Sequence, residues 1–136
     1  MTKEIIIGGK SYKFRSTAAI PRMYRLRFNR DIFVDMEKLA ENIEASEKKQ
    51  EAERIAAESE GIEYKESSSL PIDSLEMFEN IAYLMNKHGD PSQPEDIDTW
   101  LEQFDTFNIY EILPEILELW NLNNRGFSVS KKKDAR

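Results

Sequence analysis

Strand-like and helix-like hydrophobic spacings succeed one another along the chain, and each switch predicts an element. Glu4-Ile5-Ile6-Ile7-Gly8-Gly9-Lys10-Ser11-Tyr12-Lys13-Phe14-Arg15 holds a β-branched run, a glycine pair, then an alternation of polar and aromatic residues. Two successive glycines supply the positive φ angles of a tight turn, so a two-stranded hairpin is predicted. A lone hairpin is marginal in water and must pack on something else.

The period then becomes helical. Pro21 lacks an N–H and suits a first turn, which favours a helix start near Ile20, while Ser16 and Thr17 offer earlier caps. Ile20, Met23, Tyr24 and Leu26 are expected to cover one side, with Arg22, Arg25 and Arg30 towards another. Asn29 to Asp31 interrupts this segment. Asp31 is the expected cap of a second helix, along which Ile32, Phe33, Met36, Leu39, Ala40 and Ile43 keep helical spacing. From Glu44 to Ser69 the apolar spacing thins to Ala52, Ile55 and Ala56. Either the helix runs on as a solvated rod or the segment is mobile, and residues 57–69 are predicted as a flexible loop.

Order returns at Pro71. Asp73 or Ser74 is expected to cap a helix carrying Leu75, Phe78, Ile81, Ala82 and Met85, which stops at Lys87-His88-Gly89. Ser92-Gln93-Pro94-Glu95 has capping-box spacing, and Ile97, Trp100, Leu101 and Phe104 follow at i, i+3, i+4 and i+7. Asn108 opens a last helix with the stripe Ile109, Ile112, Leu113, Ile116, Leu117 and Trp120, in which Pro114 predicts a kink or a restart. Asn121 to Gly126 breaks that helix. The predicted fold is mainly α (α+β): one domain over residues 1–122, an N-terminal two-stranded β-hairpin packed on a bundle of about five helices, then a disordered basic tail over 123–136.

Charge sharpens this picture. The net charge is −7, but residues 1–30 carry eight Lys/Arg against one Glu, residues 31–120 six against twenty-four Asp/Glu, and residues 121–136 five against one. An acidic middle between basic ends can steer self-association or partner docking, and it repels nucleic acid. No apolar run approaches the ~20 residues of a membrane span, and the opening has no signal-peptide core, so a cytoplasmic location is expected. The absence of Cys removes disulfides, thiol nucleophiles and thiolate metal sites, and fits a reducing compartment.

Candidate chemistry is sparse. Glu95, Asp96, Asp98 and Glu102 cluster, but acidic residues suit a helix start because they complement its positive end, and calcium loops have another pattern. His88 falls in a last helical turn, where a donor side chain can meet unpaired carbonyls. There is no phosphate-binding Gly loop and no Gly-flanked Ser nucleophile, so no enzyme site, cofactor or metal is predicted. Arg22, Arg25, Arg27 and Arg30 near Tyr24 and Phe28 form the best case for nucleic-acid binding, weakened by the acidic middle that offers them partners. The apolar stripes are either core or, where uncovered, docking surface; Trp100, Phe104, Ile112, Ile116 and Trp120 are the candidate protein-binding residues.

Three runs carry a family resemblance: Phe78-Glu79-Asn80-Ile81-Ala82-Tyr83-Leu84-Met85, Trp100-Leu101-Glu102-Gln103-Phe104, and Ile109-Tyr110-Glu111-Ile112-Leu113-Pro114-Glu115-Ile116-Leu117-Glu118-Leu119-Trp120. With the Ile-Gly-Gly-Lys-Ser-Tyr hairpin and Arg30-Asp31-Ile32-Phe33-Val34-Asp35-Met36, the chain resembles the tail assembly chaperones of long-tailed phages and prophages of Gram-positive bacteria. The resemblance omits Glu44 to Ser69. It implies a non-enzymatic assembly factor that binds the tape-measure protein, keeps it soluble and helps recruit tail-tube protein subunits; the opposed charges and uncovered stripes add a homo-oligomer to the expected partners. It also implies a frameshifted longer form, for which Lys131-Lys132-Lys133 is a candidate slippage site; a solvated run of like charges explains the same residues. The alternatives are a structural or adaptor protein of the virion or host, and a nucleic-acid-binding regulator.

Overall fold

Gly8 and Gly9 adopt φ values of 61° and 81°, and their turn joins β1 (Thr2–Ile7) to β2 (Lys10–Arg15) with Ile7 facing Lys10 and Thr2 facing Arg15. The computed structural model describes residues 1–63 and 70–123, the last three through their backbone alone. Side chains alternate across the hairpin, so Ile5, Ile7, Tyr12 and Phe14 are buried while Ile6 faces outward. Five helices follow: α1 (Ile20–Phe28), α2 (Ile32–Glu60), α3 (Ile72–Gly89), α4 (Ile97–Glu102) and α5 (Ile109–Asn123). The molecule is a hairpin packed on helices, mainly α. No helix among the described residues is long and apolar enough to cross a membrane.

α3 is the hub. β2, α1, α2, α4 and α5 all pack on it. Its burial therefore exceeds the single stripe predicted: every residue from Ile81 to Asn86 is buried, as a helix enclosed on several sides requires. Two features bring β2 close. Gly89 lies where a Cβ would come within 2.5 Å of the Lys13 carbonyl oxygen, so only glycine lets the two backbones approach. One turn earlier, the Asn86 amide donates to that carbonyl at 2.8 Å and accepts from the Trp100 indole N–H at 2.8 Å.

Several expected boundaries move. α1 starts at Ile20 behind an Ala19 cap with no side-chain bond, so the earlier Ser16 start is not used. Leu26 is 70 % exposed rather than sharing the side of Ile20 and Tyr24; six residues on, it lies roughly 240° around the helix from Ile20. α2 runs through residues 57–60 and ends at Gly61 with φ 71°, so the predicted loop is helix there. No Gly or Pro interrupts Ile32–Glu60, and the pairs Lys48–Glu44 and Arg54–Glu58 span single turns. The rest of that loop, from 64 to 69, lies outside the described residues.

α3 begins at Ile72 behind Pro71, without the predicted Asp73 or Ser74 cap; Asp73 sits in the first turn, and Ser74 is buried and accepts from Asn42. α4 is capped by Asp96, whose carboxylate accepts from the Thr99 N–H and hydroxyl at 2.9 and 2.7 Å, and not by the Ser92–Glu95 box. It ends at Glu102, which leaves Phe104 beyond the helix. α5 starts behind Asn108, whose side chain accepts from Tyr110 N–H at 2.9 Å, and runs unbroken past Pro114, and through the break expected at Asn121, to Asn123. Pro114 is on the exposed side, where water can take the carbonyl it leaves free, so no restart follows. The predicted tail beyond Asn123 lies outside the described residues.

Replacing Asn86 by Leu keeps the volume but strands the Lys13 carbonyl and the Trp100 N–H. A loss of ~2–4 kcal/mol of unfolding free energy is expected, measured by urea denaturation of both proteins.

Candidate partner-binding surface

The five residues predicted to bind a partner do not form a surface. Trp100, Ile112, Ile116 and Trp120 are buried, and Phe104 is partly buried against the same core. The reason is cover. Trp100 lies among Tyr83, Phe104 and Phe107 with ring centroids 5.0–5.4 Å away, and Phe104 also meets Tyr12 of the hairpin. α5 packs on α3 and β1, where Lys3 forms ion pairs with Glu115 and Glu118 over its outer edge, and Trp120 meets the Phe33 ring at 5.2 Å. Sequence reading left core and interface open for these stripes; the hairpin and α3 make them core.

The other candidate groups have local work. Asp96 caps α4, and Glu95 pairs with Lys87 at 2.9 Å. His88 reaches the Thr17 hydroxyl at 3.0 Å rather than the carbonyls of its own helix end. Burial depresses its pKa, with Arg15 and the N-terminal ammonium adding to the effect.

The four arginines of the basic run part company. Arg30 clasps the buried Asp35 carboxylate through two bonds of 2.7 and 2.9 Å, and Tyr24 OH donates to the same carboxylate at 2.7 Å. Burial alone would raise the Asp35 pKa; the bonds from Arg30 and Tyr24 outweigh it and hold the group below the usual carboxylate range. Arg27 lies over the Tyr83 ring, 4.9 Å from its centroid, and donates to the Glu95 carbonyl. Arg22 and Arg25 make no ion pair among the described residues.

Those two arginines lie on an exposed face of α1. Arg22, Arg25, Leu26 and Asn29 are exposed at i, i+3, i+4 and i+7, one outward face of α1. Beside it a cleft of about 430 Å³ opens between Pro21, Arg25 and Asn29 and the turn from Arg30 to Phe33. Phe33, which lines it, is 53 % exposed. Periodicity had placed Phe33 and Leu26 with inward residues, and only the mutual placement of α1 and α2 turns them out.

No family model matches the chain, and no curated protein or solved structure matches it.

Two outcomes follow for the residues placed here. Trp120→Ala is expected to lower stability by on the order of 3 kcal/mol, as a core truncation does, in thermal and urea melts. His88 excludes a proton in the folded chain that the unfolded chain binds near the ordinary value of 6.5. Its stabilisation is therefore present above that value and is lost as pH falls through it, levelling off once the folded form is protonated too. Between about pH 7.5 and 5.5, unfolding free energy should fall more in the wild type than in His88→Gln, a difference that cancels the carboxylates common to both.

Proposed function

We propose that this chain is a non-enzymatic tail assembly chaperone of a long-tailed phage or prophage, which binds the tape-measure protein, holds it in solution and helps recruit tail-tube subunits. The observation that carries the reading is the order and spacing of the runs at 78–85, 100–104 and 109–120 behind the Ile-Gly-Gly-Lys-Ser-Tyr hairpin, which resemble those of such chaperones. The physics agrees with it. A tape measure exposes long apolar helices, and a partner for them needs apolar surface rimmed by charge. With the α4 and α5 stripes turned inward, the apolar side chains left exposed among charges, such as Leu26 on α1 and Ile55 on α2, are what the described chain offers for this need.

Co-expression with the tape-measure protein encoded beside this gene tests the reading, scored by client solubility and co-elution in size exclusion. A soluble, co-eluting client is expected, with this chain absent from purified particles. An insoluble client and no complex, while this chain is folded, sinks the proposal; the chain's presence in finished particles favours the adaptor alternative.

A further inference from the structure

We propose that copies of this chain associate head to tail, the basic outward face of α1 on one copy seating in the acid-lined groove along the middle of α2 on the next. Arg22 and Arg25 then face the carboxylates of Glu44, Glu47 and Glu51, and Leu26 covers apolar surface at Ala52 and Ile55. This self-association needs no client, so it stands independently of the chaperone reading.

The groove, of about 540 Å³, is lined by Glu44, Glu47, Lys48, Glu51, Ala52 and Ile55, all of them exposed. It lies on the side of α2 turned from the body. Ile43 and Ser46 are buried and Gln50 donates to Tyr110 OH at 2.9 Å, whereas Lys48 and Ile55 lie roughly 140–160° around the helix from Gln50. Two ion pairs, Lys48–Glu44 at 3.2 Å and Arg54–Glu51, engage part of the charge, but pairs this exposed contribute little and exchange partners readily. Glu47 has no ion pair among the described residues.

The α1 face is its counterpart in charge and in spacing. Arg22 and Arg25 are exposed without an ion pair among the described residues. Arg22, Arg25, Leu26 and Asn29 stand at i, i+3, i+4 and i+7, and so do Glu44, Glu47, Lys48 and Glu51, which makes each face ~10 Å long. Each also holds one large apolar side chain in water, Leu26 on α1 and the 55 % exposed Ile55 on α2. Within one chain the two faces do not meet: Arg25 stays at the turn before α2, and Glu44 lies ~18 Å along that helix from Ile32. A foreign acidic helix would satisfy α1 but leave the α2 groove uncovered, whereas a second copy covers both. Nucleic acid gains few phosphate contacts from two arginines and is repelled by the α2 acids. Pairing α2 with itself sets the three glutamates of one groove against those of the other. Because α1 of one copy takes α2 of the next, each contact leaves one face of either kind open, so the contact repeats into short chains or closes as a ring.

Sedimentation velocity of the full chain tests this. The contact is small, so the mass should rise past that of a dimer only at ~0.05–1 mM protein in low salt. About 1 M NaCl, which shortens the screening length to about 3 Å, should return the chain to monomer. Arg22→Glu/Arg25→Glu and Glu47→Lys/Glu51→Lys should each be monomeric alone, and an equimolar mixture of the two should associate again, because the reversed face of each complements the reversed face of the other. Leu26→Ser and Ile55→Ser should each weaken association about fivefold. Circular dichroism checks that these variants, all altered at exposed positions, keep their helicity; where a charge reversal loses it, the two serine variants decide. A wild type that stays monomeric over the whole range, association that survives every substitution, or a mixture that stays monomeric overturns the proposal. Association abolished by Glu47→Lys/Glu51→Lys but untouched by Arg22→Glu/Arg25→Glu overturns it in favour of α2 meeting α2. Association lost only on reversing α1 overturns it as well, since α1 then docks elsewhere on the second copy.

Discussion

The side-chain amide of Asn86 ties together three elements. It donates to the carbonyl of Lys13 in the hairpin and accepts from the indole of Trp100 on α4, while standing on α3 itself. Buried polar groups are tolerated only when paired, and here each partner is a group that would also go unpaired without the other. The Lys13 carbonyl points away from the β1 ladder, and the Trp100 indole sits among the rings of Tyr83, Phe104 and Phe107. Apolar burial supplies the driving force for collapse but is not directional; this pair of bonds sets where the hairpin and α4 meet α3. Gly89 completes the arrangement one turn on, since any side chain there would push β2 away.

A second polar node does for α1 and α2 what Asn86 does for the hairpin. Asp35 faces α1 from the first turn of α2, and Tyr24 and Arg30 converge on it. A buried carboxylate is costly alone, so the node forms only if the turn at Asn29, with φ 56°, folds α1 back at the right angle. That angle turns one face of α1 onto α3 and the opposite face outward. The exposure of Arg22, Arg25 and Leu26 is thus a consequence of how Asp35 is satisfied. Arg30, drawn into the node, is the member of the basic run least available to a partner.

Local chemistry was legible in the sequence where it had no competitor. The glycine pair could only be a turn, and Asp31 and Asn108 each stood directly before the first residue of an apolar stripe. At Ser92-Gln93-Pro94-Glu95 a good capping pattern lost to Asp96, because Glu95 was drawn to Lys87 and Ser92 to Asp90. The length of α2 was obscured by a hydrophobic criterion: its distal half has few large apolar residues, yet in-helix charge pairs and the absence of Gly or Pro carry it to Gly61. The burial of the five candidate residues was hidden for a deeper reason. Periodicity says which face of a helix is apolar but not what will cover it, and Trp100, Ile112 and Ile116 were covered by a hairpin and a hub helix distant in sequence. The converse error hid Phe33 and Leu26, whose spacing looked internal.

A sealed core constrains how such a chain can bind anything. If the α4 and α5 stripes were the docking surface, engaging a partner would require the hairpin to lift from α3, breaking both Asn86 bonds and exposing Trp100 before any new contact formed. That route sets the cost of opening against every binding event. A surface already exposed in the folded chain carries no such cost, and the Asp35 node fixes which face of α1 stays outward. Pre-organisation of this kind favours a binder that must capture its client quickly and let it go intact, since association then needs no rearrangement of the chain and release needs none to reverse.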